Sequence, residues 1–433
     1  MNPRYFKKLI HLLRYGFISP IWSYIAPIII KVSGPRTAAY LSYKSIDWGE
    51  MNHEKTILCL QRESFVKDII ELRKRSSYNY PMIAGGFTRF QMVWFPIEMQ
   101  IQTFYKLHQK KNNKALTLAA EYATHLILLA SKKHSVQAIL SANFDYWQDA
   151  GFKIACKKLG IPFLVLSREH PVIPKACDEV IEWYKKTHYH FEGTAIAVAG
   201  RSTKDVLVKV DTLCNPEQVK ITGLPRYDAW LDVDTSNALE DRPFVTLLTF
   251  TEGYYADETF EEVLQLFCKA AELHVNKDVS FLVKTKDAED THNVKKMMAE
   301  KGLSGLDLEC SHEKDLFDVL PKSRMVINYN SLSLVEAVMA KARVVIPIWG
   351  QCKDSGEEAM YVSDNPHISK VVEFAYGFDD LLEIIASCVT GCAHEISDEE
   401  IRDFLGEYIH IPTHGSYCDE FDSFVIPFFK IKD

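Results

Sequence analysis

No aspartate or glutamate precedes Asp47, although acidic residues outnumber basic ones over the whole chain. The first stretch is therefore of one sign, with Arg4, Lys7, Lys8, Arg14, Lys31, Arg36 and Lys44, while the formal charge of -8 overall argues against general affinity for nucleic acid. No Cys-x-x-Cys pair occurs among the ten cysteines, which leaves a structural zinc site without its usual ligands. The cysteines are scattered through apolar runs in a chain too large to need covalent staples, and read as reduced thiols of a cytoplasm-like compartment. His188-x-His190 has no third ligand near it in sequence, and Asp232-Val233-Asp234 sits in a polar run where aspartates commonly cap and turn, so no metal is expected. Gly-x-Gly-x-x-Gly is absent as well; Ala84-Gly85-Gly86 lacks that spacing and reads as a turn. No uncharged run is long enough to cross a bilayer: Tyr15 to Ile30 is short of the ~20 residues a spanning helix needs and is interrupted by Pro20 and Pro27. Lys31 after that run, with no small-x-small pattern, fits a signal peptide poorly.

What the first stretch does contain is a helical pattern, with Arg4, Lys7, Lys8, His11 and Arg14 on one face and Phe6, Leu9, Ile10, Leu13 and Phe17 opposite. That pattern suits residues 1–34 to lie on an anionic membrane surface; the competing reading is a helix packed on its own domain. Residues 1–43 are accordingly set apart as a basic amphipathic arm.

At 433 residues the chain exceeds one ordinary core and predicts two domains. Short apolar strands recur at Thr56–Leu60, Val136–Leu140, Phe163–Leu166, Ala195–Val198 and Val219–Thr222, with amphipathic helical segments between them. A second series starts at Phe244–Leu248 and runs through Ser280–Val283 to Val371–Phe374. Strands alternating with helices imply a doubly wound parallel sheet, here twice. The boundaries predicted are 44–235 and 236–395, with Gly223 to Asp228 in a linker and a C-terminal segment, 396–433, that has the option of crossing back to the first domain.

The stretch Ser323 to Gly350 condenses the pattern: a β-branched run, the polar turn Asn328-Tyr329-Asn330, a short helix bearing Ser331, Ser333 and Glu336, and a second β run. In such a unit the polar turn lies at a strand's carboxyl end and a helix's amino end, where free N–H groups favour a phosphate. Ser333-x-x-Glu336 also fits a capping box, so capping and ligand binding both stand at this point. Leu332, Val335 and Met339 are the expected apolar face of that helix.

Four pieces occur in a familiar order: Gly160-Ile161-Pro162-Phe163 leading to Arg168-Glu169-His170; Thr222-Gly223-x-Pro225-Arg226-x-Asp228; Leu282-Val283-Lys284-Thr285-Lys286; and Asn330-Ser331-x-Ser333-x-x-Glu336-Ala337. In this the chain resembles the GT-B glycosyltransferases of bacterial surface and capsule polysaccharide synthesis, a group akin to the Kdo transferases, the CDP-glycerol glycerophosphotransferases and the nucleotide-sugar 2-epimerases. The likeness covers roughly residues 135–350, and the order of the motifs carries it. It implies an α/β fold of the GT-B kind: two Rossmann-like, doubly wound parallel-sheet domains facing a cleft. It also implies metal-independent transfer from a nucleotide-activated sugar, linked to CMP, UDP or GDP and serving as co-substrate with no other cofactor.

The resemblance assigns donor binding to Asn330, Ser331, Ser333 and Glu336, the last toward the ribose, and to Lys284 and Lys286. The family's usual Lys-x-His-Pro is here Lys284-Thr285-Lys286-Asp287; the alternative for the lysines is a solvated strand end. Thr251 and Gly253, after the second domain's first strand, suit the same phosphate pocket through a hydroxyl and close backbone approach, as does Thr249. Glu169, then His170, is the expected base that removes the acceptor's proton, with a structural Arg168–Glu169 ion pair as the alternative. Asn143, Asp145 and Arg168 are the acceptor-binding candidates. The activity expected is sugar transfer to a lipid-linked or polysaccharide hydroxyl at the cytoplasmic membrane face. The rivals are a CDP-alditol phosphotransferase and a non-catalytic nucleotide-binding scaffold. The sequence does not give the oligomeric state.

Overall fold

The computed structural model describes residues 20–60, 65–83, 90–91, 93–95, 113–167, 177–235, 238–250, 257–275, 277–303, 308–354, 361, 363–391, 396–413 and 415–429. The chain divides into two compact units, the first of Met1–Pro171, Asp178–Asp228 and Ile409–Asp433, the second of Val172–Cys177 and Ala229–Tyr408.

In the first unit the described elements run α1 (Pro20–Ser45), β1 (Lys55–Leu60), α2 (Val66–Arg75), β2 (Met82–Ile83), α3 (Asn113–Ser131), β3 (Ser135–Ser141), α4 (Ala150–Leu159), β4 (Phe163–Ser167), α5 (Cys177–Thr187), β5 (Ala195–Val198), α6 (Arg201–Val208) and β6 (Val219–Ile221). The second unit holds α7 (Asp228–Leu231, whose first residue belongs to the first unit), β7 (Phe244–Leu248), α8 (Asp257–Leu273), β8 (Ser280–Lys284), α9 (Ala288–Glu300), β9 (Glu309–Ser311), α10 (Leu316–Val319), β10 (Ser323–Ile327), α11 (Ser333–Met339) and β11 (Arg343–Pro347). It continues with α12 (Gly350–Asp354), α13 (Pro366–Ser369), β12 (Val372–Ala375), α14 (Phe378–Val389) and α15 (Asp398–Tyr408), before α16 (Tyr417–Val425) in the first unit ends the series.

Each unit has one six-stranded sheet, ordered β2-β1-β3-β4-β5-β6 in the first and β12-β11-β10-β7-β8-β9 in the second. Every ladder between these strands is parallel. The α/β architecture of two parallel sheets with flanking helices is thus what the alternation of periods predicts. Central strands such as Ser323–Ile327 and Arg343–Pro347 are buried along their whole length, which is why they read as continuous apolar runs. In the second unit Phe260 and Phe267 of α8 and Ile385 of α14 close over Val245, Leu247, Ile327 and Val345. The nine described cysteines stand as thiols, and burial pushes Cys268 and Cys310 up to about 11.

Several local expectations change. Residues 1–19 of the proposed arm lie outside the described residues; from Pro20 the chain is helical across Pro27 and leaves helical geometry at Gly34, with φ 78° and ψ -176°. Glycine is the residue that adopts positive φ without steric cost. Beyond that break Ala38, Ala39 and Leu41 are buried, Ser42 and Tyr122 share a 2.8 Å hydrogen bond, and Arg36 pairs with Glu121 at 3.2 Å. Ile28, Lys31 and Val32 remain exposed.

The Gly223–Asp228 segment is not a loose linker. Pro225 and Tyr227 are buried, and Arg226 donates through its backbone N–H and its guanidinium to Asp68, which is 0 % exposed. At Gly223, where φ is +67°, a Cβ would come within 2.3 Å of the Tyr417 ring. The Asp228 carboxylate accepts from Tyr417 N at 2.5 Å and Cys418 N at 3.1 Å, so the first residue of α7 caps α16. Asp422 in α16 accepts in turn from Ser76 Oγ, Ser77 N and Tyr80 Oη at 2.5, 2.9 and 3.3 Å.

Candidate functional site

Read from its other edge, the second sheet runs β9-β8-β7-β10-β11-β12, the 3-2-1-4-5-6 order of a doubly wound sheet built from two βαβαβ halves. The order of strands reverses between β7 and β10, and ligands of such sheets bind outside the carboxyl ends at that point. After a register shift between Ser323 and Met325, β7 and β10 pair with Leu247 opposite Ile327, so the segments that leave them start close to level with each other. One begins with Thr249; the other is Asn328 to Ser333.

The β10 turn is tightly organised. Asn328 is buried, accepts from Tyr329 N at 2.6 Å and donates from Nδ2 to Ser333 Oγ at 2.9 Å. Ser331 Oγ and Ser333 Oγ are 2.8 Å apart, and Tyr361 donates its hydroxyl to Ser331 O at 2.9 Å. Asn330 adopts φ 48°, a left-handed conformation that asparagine tolerates better than most residues. This corrects the capping-box expectation. Leu332, at φ -63° and ψ -21°, is already helical, so Ser333 lies inside the first turn and does not cap it; its N–H instead donates to Ser331 Oγ at 3.3 Å, and its hydroxyl is turned to Ser331 and Asn328. The buried face of α11 is Leu334, Val335, Ala337 and Val338, with Leu332 and Met339 only half-buried, so the apolar face is rotated from the one the pattern implies. Glu336 is half-buried in its first turn. At seven residues α11 is too short to supply much macrodipole.

Lys284 and Lys286 end β8 and follow it, next to β7 in the sheet. The two differ: Lys286 is exposed, whereas Lys284 is 8 % exposed and donates its ammonium to the carbonyls of Thr285 and His312, so the reading of Lys284 as a solvated strand end fails. Asp290 accepts from Thr249 Oγ1 at 2.5 Å and from Lys286 N at 2.8 Å, tying the ends of β7 and β8 together. Thr285 Oγ1 meets Thr291 Oγ1 at 2.6 Å, and Thr291 Oγ1 lies 3.1 Å from His312 Nδ1. Asp290, Thr291 and His312 were not singled out in the sequence. His312 directly follows β9, a three-residue strand whose Glu-Cys-Ser composition gives no β signal, so its position at a strand end could not be read.

The first sheet has its own switch point between β1 and β3, and Asn143 and Asp145 follow β3. Both are largely buried. Tyr184 donates its hydroxyl to Asp145 Oδ2 at 2.9 Å, Asn143 N lies 3.4 Å from Ser141 Oγ, and Ser141 donates to Asp149 Oδ2 at 2.6 Å. Between them the Phe144 carbonyl accepts from the buried Lys153 ammonium and from Tyr189 Oη, the latter at 2.6 Å. Lys153 stands over the rings of Phe163, Tyr189 and Phe191 at 5.6, 5.8 and 5.5 Å, an aromatic seat that nothing local in the sequence of α4 announces. Burial holds the Tyr189 phenol well above its ordinary pKa, so it stays a proton donor to that carbonyl.

Arg168, Glu169, His170, Thr251 and Gly253 lie outside the described residues. Among the described residues no group of three His, Cys, Asp or Glu side chains is placed to hold a metal ion, and no helix is long and apolar enough to cross a membrane.

No protein-family model matches the sequence, and a search of curated proteins finds no match. Among solved structures the chain is similar to a glycosyltransferase from Rickettsia africae, at 13% identity and a TM-score of 0.45 over 87% of this chain and 94% of that one. It is also similar to a UDP-GlcNAc 2-epimerase from Neisseria meningitidis bound to UDP-GlcNAc, at 11% identity and a TM-score of 0.49 over 86% and 99%. An Anabaena protein in complex with UDP-glucose aligns at 10% identity and a TM-score of 0.41 over 81% and 93%.

Proposed function

We propose that the chain is a nucleotide-sugar-dependent glycosyltransferase of the GT-B kind. The observation that carries the reading is the reversal of strand order between β7 and β10, with Thr249 on one side of it and the hydroxyl-rich Asn328–Ser333 turn on the other. The donor's phosphates would be met by Ser331, Ser333, Lys286 and the backbone of the turn, and its ribose by Glu336. Lys284, with its ammonium on two carbonyls, would hold the β8 and β9 ends in place and reach phosphate only by exchanging one of them. Thr251 and Gly253 follow β7 in the chain and join this donor set. Glu169 would take the proton of the acceptor hydroxyl, with His170 second to it, and Asn143, Asp145 and Arg168 would contact the acceptor.

The acceptor is a lipid-linked or polysaccharide hydroxyl at the inner membrane face, with residues 1–34 holding the enzyme against that surface. Exposure of Ile28 and Val32 beside Lys31, as high as 85 % at Val32, supports this: apolar side chains flanked by a cation suit an anionic interface. Thermal unfolding with CMP, CDP, UDP and GDP and their sugar conjugates tests the donor assignment, since a ligand held by the folded state raises its melting temperature. Stabilisation by one nucleotide family, followed by sugar transfer that leaves no phosphorus in the product linkage, is the expected result. Absence of stabilisation by all of them would remove the donor site, and phosphorus in the product would mark an alditol phosphotransferase instead.

A further inference from the structure

At the amino-terminal edge of the second sheet, the edge away from the β10 turn, three arginines are buried: Arg242 just before β7, Arg324 in β10 and Arg343 at the start of β11. Arg343 has its counter-ion, Glu373, in a two-pronged pair at 2.6 and 2.8 Å. Arg324 donates to the carbonyls of Arg242 and Glu240, both at 2.7 Å. Arg242 is different. It is 2 % exposed, its Nη1 donates to Ser323 O at 3.3 Å and Ala340 O at 2.8 Å, and its Nε is buried with no acceptor. Among the described residues no carboxylate pairs with it, and burial lowers its pKa with no opposing charge to restore it. Burying a guanidinium without an anion, and one of its N–H groups without an acceptor, is costly.

Arg242 lines a cavity of about 550 Å³, within the ~300–1,000 Å³ range of small-molecule sites. Leu239, Val338 and Ile401 give it apolar walls. Lys341 and Ser397 add polar groups, Lys341 paired with Asp398 at 2.7 Å. Two carboxylates also reach it: Glu240 is exposed, and Glu400 accepts from Ser397 N and Oγ at 3.0 and 2.8 Å. The buried charge of the cavity is therefore positive, and its negative charges are either in solvent or already bonded. We propose that this cavity binds a small organic oxyanion, a carboxylate or phosphate on an apolar body, with Arg242 as its counter-ion. The walls take the body, while the oxyanion supplies the acceptor and the charge that the fold withholds from Arg242. The site lies wholly within the second unit and does not depend on the donor assignment.

Isothermal titration of the full chain with benzoate and with phenyl phosphate, against acetate, inorganic phosphate and chloride at matched ionic strength, tests it. Binding of either apolar-bodied anion, weakened about tenfold or more by Arg242→Gln and less by Arg242→Lys, supports the site, and which probe binds names the oxyanion. Ala238→Trp, at the exposed rim, should block the same binding while leaving the bonds of Arg242 to Ser323 and Ala340 intact, and so decides the matter if Arg242→Gln does not fold. The Lys286→Ala variant should bind the probes unchanged; loss there would assign them to the proposed phosphate site of the donor and overturn the proposal. So would binding of neither probe, or equal binding by native, Arg242→Gln and Ala238→Trp chains.

Discussion

Replacing Asp228 by alanine is the sharpest test of how the last helix is held. Its carboxylate is 1 % exposed and receives the first two N–H groups of α16, Tyr417 N and Cys418 N, while the third, Asp419 N, is taken by Ser416 Oγ at 3.1 Å. Alanine leaves the two donors buried without acceptors. Each orphan costs ~1–3 kcal/mol, and the lost cap interaction overlaps with that cost rather than adding to it, so ~2–5 kcal/mol is expected in total. Asparagine keeps one acceptor oxygen and should lose about half as much. Urea unfolding measures the loss, and limited proteolysis locates it: cleavage between residues 409 and 429 should accelerate before cleavage elsewhere. An alanine variant within ~0.5 kcal/mol of the native chain, with an unchanged cleavage pattern, would refute the clamp.

Glu336→Ala should weaken nucleotide binding by about tenfold or more while moving stability by less than ~1 kcal/mol, as calorimetry and thermal unfolding on the same samples will show. Asp422 makes stability depend on pH, because burial pushes its carboxyl above the ordinary aspartate value. A raised carboxyl favours the protonated fold, so its contribution is complete below the ordinary aspartate value and is lost as pH rises through the raised one; Asp422→Asn should flatten that slope in urea midpoints taken across the range. Deleting residues 1–34 should release the protein from vesicles containing anionic lipid in a flotation assay while sparing transfer to a soluble acceptor; retention on the vesicles would count against the arm.

Much of the fold was legible because parallel strands buried on both faces leave continuous apolar runs, and those runs fall where β3, β5 and β7 are found. What was not legible is set by partners far away in the chain. Nothing local to Asp228 shows that it caps a helix 189 residues later, so its segment read as a linker. Ser333-x-x-Glu336 has the spacing of a capping box, and only the helical backbone of Leu332 shows that the helix has already begun. β2 and β9, at two and three residues, are too short to carry a period. The order of strands, on which the donor reading rests, is a property of pairing and appears nowhere in local sequence.

The capping of α16 also bears on how the protein is made. A ribosome delivers β1 to β6 first, then the whole second unit, and only then the helix whose Asp422 bonds to Ser76, separated from it by 346 residues. Domains usually complete themselves in the order of synthesis. Here the second unit has all of its sequence in hand at Tyr408, while the first still exposes the pocket around Gly223 and the carboxylate of Asp228. A chain that stops after Tyr408 therefore presents a finished second unit beside an unfinished first one, and its open seat for α16 is the surface on which chaperones or proteases would act.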